Sequence, residues 1–588
     1  MKSHIVRNIF ITLVLLFVLG CGALIGIIAL MRSDFSSKPI ILEADFDRLM
    51  VEDSSVSPFA RLGLNNQITL QDTLAAIEAG ARDPRVKVLV ARVGNGQMGL
   101  AQRQDVRAAI LRFRAAGKKA YAFAETFGEF SSGNGSYYLA TAFDKIYLQP
   151  SGDIGLTGLR IEPPFVRGTL EKLEVVPRGG QRYEYKNALD LYTEKKMTPA
   201  YREAVDALLQ SVHRQIMAGI SEGRGIELAK VQEIIDRGPY LAREALEAKL
   251  VDDLRYRDEV YGMARADAGR NARLLYLHAY LVKRGNPYKK GDPSIALIYG
   301  VGAVRRGESA DNPFTGDVSM GSDTVCAAFR AAADDSKIKV ILFRVNSPGG
   351  SYVASDAILR EIARAREKGK KVVVSMGDVA GSGGYLVALA ADTVIAEPST
   401  ITGSIGVLAL KFLTQGFWNK LGVTYDSAQT GRNAGFWSSL SDYSPEELAK
   451  FNAWLDRVYV EFTDLVANGR RMPKERVLEL AKGRIWSGED AQRLGLVDEL
   501  GGFAHAVERA KEFAGIPANK TVKLVDFPKP KSLLETLSGK APENSEKAVF
   551  QALVETIAPL QPLLREVQKV NQPAGASVLE APKPEISE

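Results

Sequence analysis

Arg85-Val-Lys-Val-Leu-Val-Ala-Arg-Val93 returns later in the chain as Lys337-Ile-Lys-Val-Ile-Leu-Phe-Arg-Val345, displaced by 252 residues. The same displacement carries Gly117-Lys-Lys119 onto Gly369-Lys-Lys371. Asp144 and Pro150 fall on Asp392 and Pro398 at 248, and Leu250-Val-Asp-Asp-Leu254 falls on Leu496-Val-Asp-Glu-Leu500 at 246. A displacement that drifts only from 252 to 246 over this span marks a tandem duplication with small insertions and deletions. At about 150 residues per domain the 588-residue chain would suggest four domains, but the repeat reduces these to two homologous units.

Each unit reads as α/β. Val340–Val345 is an apolar, β-rich run followed by a glycine turn and a helical pattern over Ala354–Lys368. Lys371–Ser375 is a further strand, and Gly384–Ala391 begins a second helix. Strands alternating with helices predict a mostly parallel, buried sheet. Ala200–Glu222 and Pro445–Gly469 read as helices, introduced by Thr198-Pro199 and Ser444-Pro445, a cap followed by proline at the first helical position. Ala548–Val570 has an amphipathic pattern, and the Pro/Glu-rich Asn571–Glu588 predicts disorder.

Composition narrows the chemistry. With 46% apolar and 25% charged residues the chain has ample core, which excludes a fibrous or mostly disordered protein. Its net charge of +6 is spread without a basic run, so nucleic acid is not an expected partner. Two cysteines cannot build a disulfide framework or a four-cysteine zinc site, and no motif for a metal, nucleotide or other cofactor is found. Only four histidines are present (His4, His213, His278 and His505), so hydrolytic chemistry here needs another base.

At the N-terminus, Ile9–Met31 carries no charge and has the length of a membrane-crossing helix. Val18-Leu-Gly-Cys21 offers a lipoprotein cleavage box as the alternative, but Gly22–Met31 stays apolar beyond it, which favours an uncleaved anchor. Lys2 and Arg7 ahead of the segment predict a cytoplasmic N-terminus, with the remaining chain outside the cytoplasm.

The second unit holds Asn346-Ser-Pro-Gly-Gly-Ser351 after one strand and Gly381-Ser-Gly-Gly-Tyr385 after the next. Either motif alone reads as an ordinary glycine turn. A serine between strand and helix sits at the helix's positive end, however, and the amide that follows it, from Gly383, can donate to a developing oxyanion. In the first unit the corresponding residues are Gly94-Asn-Gly-Gln-Met98, and Ser382 becomes Asn134. That unit keeps the scaffold and lacks the nucleophile, although Ser131, Ser132 and Ser136 stand nearby as alternatives. Conversely, Tyr185-Lys-Asn-Ala188 aligns with Gly431-Arg-Asn-Ala434. A buried lysine can lose its proton and act as a base, whereas arginine cannot. One unit has the lysine without the serine, and the other has the serine without the lysine. A composite Ser382–Lys186 site across the units is the economical reading.

These motifs, with Gly377-Asp-Val-Ala-Gly-Ser-Gly-Gly-Tyr385 and Thr402-Gly-Ser-Ile-Gly406, resemble the long, duplicated form of the signal peptide peptidase A (protease IV) family. The resemblance runs from the anchor to about residue 520. It implies a tandem duplication of a Clp protease/crotonase-like domain behind one transmembrane helix, with units at 45–290 and 291–525, a cytoplasmic 1–8, an anchor at 9–31 and an extension at 526–588. It implies Ser382 as nucleophile, Lys186 as general base, Ser404 as the residue orienting the lysine, and oxyanion amides at Gly383 and Gly349. The counterpart of Ser404 in the first unit is Leu156, and Gly381 stands where the family commonly has alanine. The implied activity is serine endopeptidase cleavage of released signal peptides at a bacterial inner membrane, with periplasmic catalytic units assembled as a homotetramer. The alternatives are a crotonase-type acyl-CoA hydratase or thioesterase, and a non-catalytic peptide-binding membrane scaffold.

Overall fold

In a computed structural model, residues 38–52, 68–289, 291, 294–311, 318–528 and 579–580 are described. The expected anchor at 9–31, Cys21 and the amphipathic stretch 548–570 lie outside them. Among the described residues no helix is long and apolar enough to cross a membrane.

The first sheet runs, from edge to edge, through Asp253–Leu254, Lys145–Leu148, Lys119–Ala124, Val86–Arg92, Ile40–Asp45 and Arg273–Tyr276, every pair parallel. The second repeats that order with Glu499–Leu500, Thr393–Ala396, Lys371–Gly381, Ile338–Ser347, Ser294–Val301 and Lys523–Phe527. Helices cover the faces, so the central strands are buried on both sides and read as unbroken apolar runs such as Val340–Phe343. The sheets reach a little beyond the expected bounds of 45 and 525, because the apolar strands Ile40–Asp45 and Lys523–Phe527 each pair along their length.

Repeated sequence becomes repeated contact. Tyr137 and Tyr385 each donate a hydroxyl to a buried carbonyl, of Leu250 and Leu496. The ammonium groups of Lys118 and Lys370 each hold two carbonyls at the edge of a central strand. The long helices Pro199–Arg224 and Pro445–Arg470 start where the cap signals place them, with Thr198 and Ser444 hydroxyls accepting from the Tyr201 and Glu447 amides. One element is shorter than its pattern. After Ser382 the helix spans only Gly383–Leu386, and the amides of Ala388, Leu389 and Ala391 then bond three residues back instead of four. The strand before it runs to Gly381, well past Ser375.

Contacts between the units are extensive. Val176–Arg182 of the first pairs antiparallel with Val407–Leu413 of the second, from Val176 opposite Leu413 to Arg182 opposite Val407. The Asp378 carboxylate accepts from the amides of Ala101 and Gln102, capping the helix Leu100–Ala115 across the boundary.

Candidate active site

Ser382 lies at the end of the strand Lys371–Gly381 and at the start of the short helix. Its φ of 54° is in a region that non-glycine residues rarely enter. The turn is held from its flanks. The Ser382 amide donates to Gly403 O at 2.8 Å, Thr402 Oγ1 donates to Ala380 O at 2.7 Å, and the Val379 amide donates to Asn346 Oδ1 at 3.1 Å. Gly384 permits the sharp return of the chain, since a Cβ there would stand 2.5 Å from Ser347 O.

Lys186 follows the inter-unit ribbon. Arg182 and Val407 close the ribbon's register, so the chain leaving one strand and the chain entering the other are neighbours, which brings Lys186 to Ser404. Lys186 Nζ is 2.8 Å from Ser382 Oγ and 2.9 Å from both the Oγ and the carbonyl O of Ser404. All three residues are 0% exposed. All three of these contacts are to neutral oxygens. Gly483 fixes the approach. Gly483 has φ +88°, and a Cβ there would fall 2.4 Å from Lys186 N, Cα and Cβ. The Gly483 amide donates to Ile405 O and the Ser404 amide to Arg484 O, tying the segment to the Ser404 turn.

The Gly383 amide is the first of its helix and so lies among those without an intrahelical partner. The Gly349 amide donates to Ser347 Oγ at 3.2 Å. Gly349–Gly350 form a two-residue strand beside Val304. On its other side lies Leu579–Glu580, antiparallel, with Glu580 opposite Gly349 and Leu579 opposite Gly350. Leu579–Glu580 therefore lie on the glycine strand next to the serine.

A buried ion network sits behind the site. Arg344, one residue before Val345 on the central strand, is fully enclosed and donates to Glu52 at 2.9 and 3.1 Å, to Asp105 at 3.3 Å and to Ser375 Oγ at 2.9 Å. Glu52 and Asp105 belong to the first unit, so the guanidinium joins the two units. Burial pulls its pKa down, but the two carboxylates outweigh this and hold it above the ordinary arginine value. Burial pushes Asp105 up to about 6, against the pull of Arg344. Burial, with the Glu52 charge nearby, also pushes Asp378 up to about 6.

In the first unit the same positions are stopped. Asp47 Oδ1 accepts from the Gly94 and Asn95 amides at 2.7 and 2.8 Å, the amides equivalent to those of the Asn346–Ser347 turn. Asn134 donates to Gly158 O and accepts from the Gly158 amide. Leu156, opposite Ser404 in the repeat, is buried. Arg432 is on the surface beside Glu446, 3.5 Å away. His213 bonds Gln232 and His505 bonds Glu499, so neither serves the serine. Among the described residues no group of three or more His, Cys, Asp or Glu is arranged to hold a metal.

Of the residues singled out from sequence, Ser382, Lys186 and Ser404 meet within one chain, with Gly383 adjacent in sequence and Gly349 on the neighbouring strand. Gly483, Arg344, Glu52, Asp105 and Asp378 escaped that reading. Arg344 left a signal as the arginine kept in both copies of the repeated strand, at Arg92 and Arg344, and Asp378 stands within the quoted Gly377–Tyr385 motif.

Several known proteins are similar to this chain. Serine protease SPPA of Arabidopsis thaliana chloroplasts is 31% identical over 485 residues, covering 81% of this chain and 70% of its own. Protease 4 of Salmonella typhi is 34% identical over 69% of this chain and 65% of its own, and Protease 4 of Haemophilus influenzae is 30% identical over 87% and 84%. Residues 112–271 and 364–517 match one peptidase family, a segment in each unit. The chain belongs to peptidase family S49.

Proposed function

We propose that this serine peptidase cleaves signal peptides at the membrane with a Ser382–Lys186 dyad. The observation that carries the reading is the 2.8 Å contact between Lys186 Nζ and Ser382 Oγ, with both side chains enclosed. Neutral Lys186 accepts the Ser382 proton as Oγ attacks a peptide carbonyl. The developing oxyanion is met by the amides of Gly383 and Gly349, the latter exchanging its bond to Ser347 Oγ for the substrate. Protonated Lys186 gives its proton to the leaving amine, and it then activates the water that hydrolyses the acyl-enzyme. Ser404, through its hydroxyl and its carbonyl, holds Nζ in line.

Signal peptides as substrate, the anchor at 9–31, the periplasmic placement, the Clp protease/crotonase-like identity of each unit and the homotetramer rest on the sequence motifs and on the uncharged N-terminal run. The full chain in detergent micelles, assayed on a leucine-containing peptide ester, tests the dyad. Ser382→Ala, Lys186→Ala and Lys186→Arg should each lose about three orders of magnitude or more in kcat/KM. Lys186→Arg retaining wild-type activity would remove lysine from the general-base role. Equal activity in all of them would remove the dyad altogether.

A further inference from the structure

The first unit no longer holds catalytic groups at its repeat of the active site, yet the crevice there is not filled. A cavity of about 550 Å³ opens between the Gly94–Arg103 segment, the Ser131–Ser136 turn and the helix Pro199–Arg224. Its mouth carries Asn95, Gln97 and Ser132, and its floor is apolar, with Met98, Val212 and Ile216. The far wall comes from the second unit, through Asp378 and Val379.

Three observations point to a retained binding site. First, the Asn134 side chain is engaged by Gly158 rather than by the crevice. Second, the repeat places Ser136 where the second unit has Gly384, a position with no room for a side chain because of Ser347 O. The first-unit crevice has opened enough to admit a hydroxymethyl group. Third, Ser136 is 6% exposed, lines the cavity and has no hydrogen-bond partner among the described residues. Its hydroxyl faces the crevice, free to donate to or accept from a group bound there.

We propose that this crevice is a second, non-catalytic site for an extended peptide, with an apolar side chain on Met98, Val212 and Ile216 and the peptide main chain bonded to Ser136 and the polar mouth. The choice of peptide rests on the proposed peptidase reading, because the crevice is the repeat of the one that would take substrate. Val379 lies on the strand Lys371–Gly381 that leads directly into Ser382, so the occupied crevice borders the element that carries the nucleophile.

The test uses the full chain carrying Ser382→Ala, in detergent, with a leucine-rich nonapeptide bearing a photoreactive leucine. Cross-links mapped by mass spectrometry should fall in 94–103, 131–136 or 212–216, in addition to those in the second unit. Ser136→Phe and, separately, Ile216→Trp should remove the first-unit cross-links, weaken that site about tenfold or more and keep the second-unit ones. Retention of the second-unit cross-links reports that each variant is folded. Cross-links confined to the second unit in the Ser382→Ala parent would overturn the proposal, as would first-unit cross-links that neither filling variant reduces. Binding is read here without hydrolysis. Failure of the dyad in the ester assay would thus leave first-unit cross-linking intact, and the two readings fail separately.

Discussion

Replacing Gly483 with alanine perturbs the site through one atom. The new Cβ would fall 2.4 Å from Lys186 N, Cα and Cβ, whereas carbon atoms settle at about 3.5 Å. Backbone is on both sides of the contact, so no side-chain rotation relieves it, and Lys186 must retreat by about 1 Å. From 2.8 Å, that retreat takes Nζ out of hydrogen-bond reach of Ser382 Oγ. A displacement of this size costs about 100-fold in rate where geometry governs proton transfer. The alanine must also adopt φ near +88°, which costs about 1–2 kcal/mol of stability. The assay is kcat/KM on a peptide ester beside a urea titration of the same preparation. A 100-fold loss in kcat/KM with a small shift in midpoint is expected, because the dyad suffers more than the fold. Wild-type kcat/KM in a folded Gly483→Ala chain would refute the claim that this close approach positions the base.

Arg344→Met leaves Glu52 and Asp105 as buried carboxylates without their cation, and should cost about 3–5 kcal/mol in urea denaturation; a loss under about 1 kcal/mol would deny the network a role in joining the units. Asp378 is raised from 3.8 to about 6, so folding favours its protonated form; this contribution is complete below about pH 4 and is lost as pH rises through 6. Asp378→Asn keeps an oxygen for the Ala101 and Gln102 amides, and should flatten the fall in midpoint between about pH 4 and pH 6; an unchanged slope there would contradict the assignment. Ending the chain at residue 578 removes Leu579–Glu580 from the Gly349–Gly350 strand and should raise kcat/KM for peptides, since a tethered segment competes at about millimolar effective concentration. Unchanged kinetics would mean that this strand does not cover the substrate's place.

The duplication and the Ser382–Lys186 pairing were legible because both depend on comparing one stretch of sequence with another. Asn134 against Ser382, and Arg432 against Lys186, reveal which copy kept which group. What stayed hidden depends on contacts between distant segments. Gly483 looks like any loop glycine until Lys186 is placed against it. The ribbon strand Val176-Pro-Arg-Gly-Gly-Gln-Arg182 holds a proline and two glycines and carries no strand pattern of its own, and it is the second unit's Val407–Leu413 that makes it a strand. The helix after Ser382 departs from its sequence pattern for a related reason. Gly384–Ala391 has helical composition, but bonds four residues apart are made only by the Leu386 and Val387 amides, and from Ala388 on the turns tighten to three.

The ribbon between Val176–Arg182 and Val407–Leu413 has a genetic consequence. It brings lysine and serine together from a single polypeptide, so a cell making one chain defective at Ser382 and another defective at Lys186 contains no chain with a complete dyad. The two alleles should therefore fail to complement each other, even if the chains assemble side by side. Activity restored in the mixture would mean that a neighbouring subunit can lend its lysine.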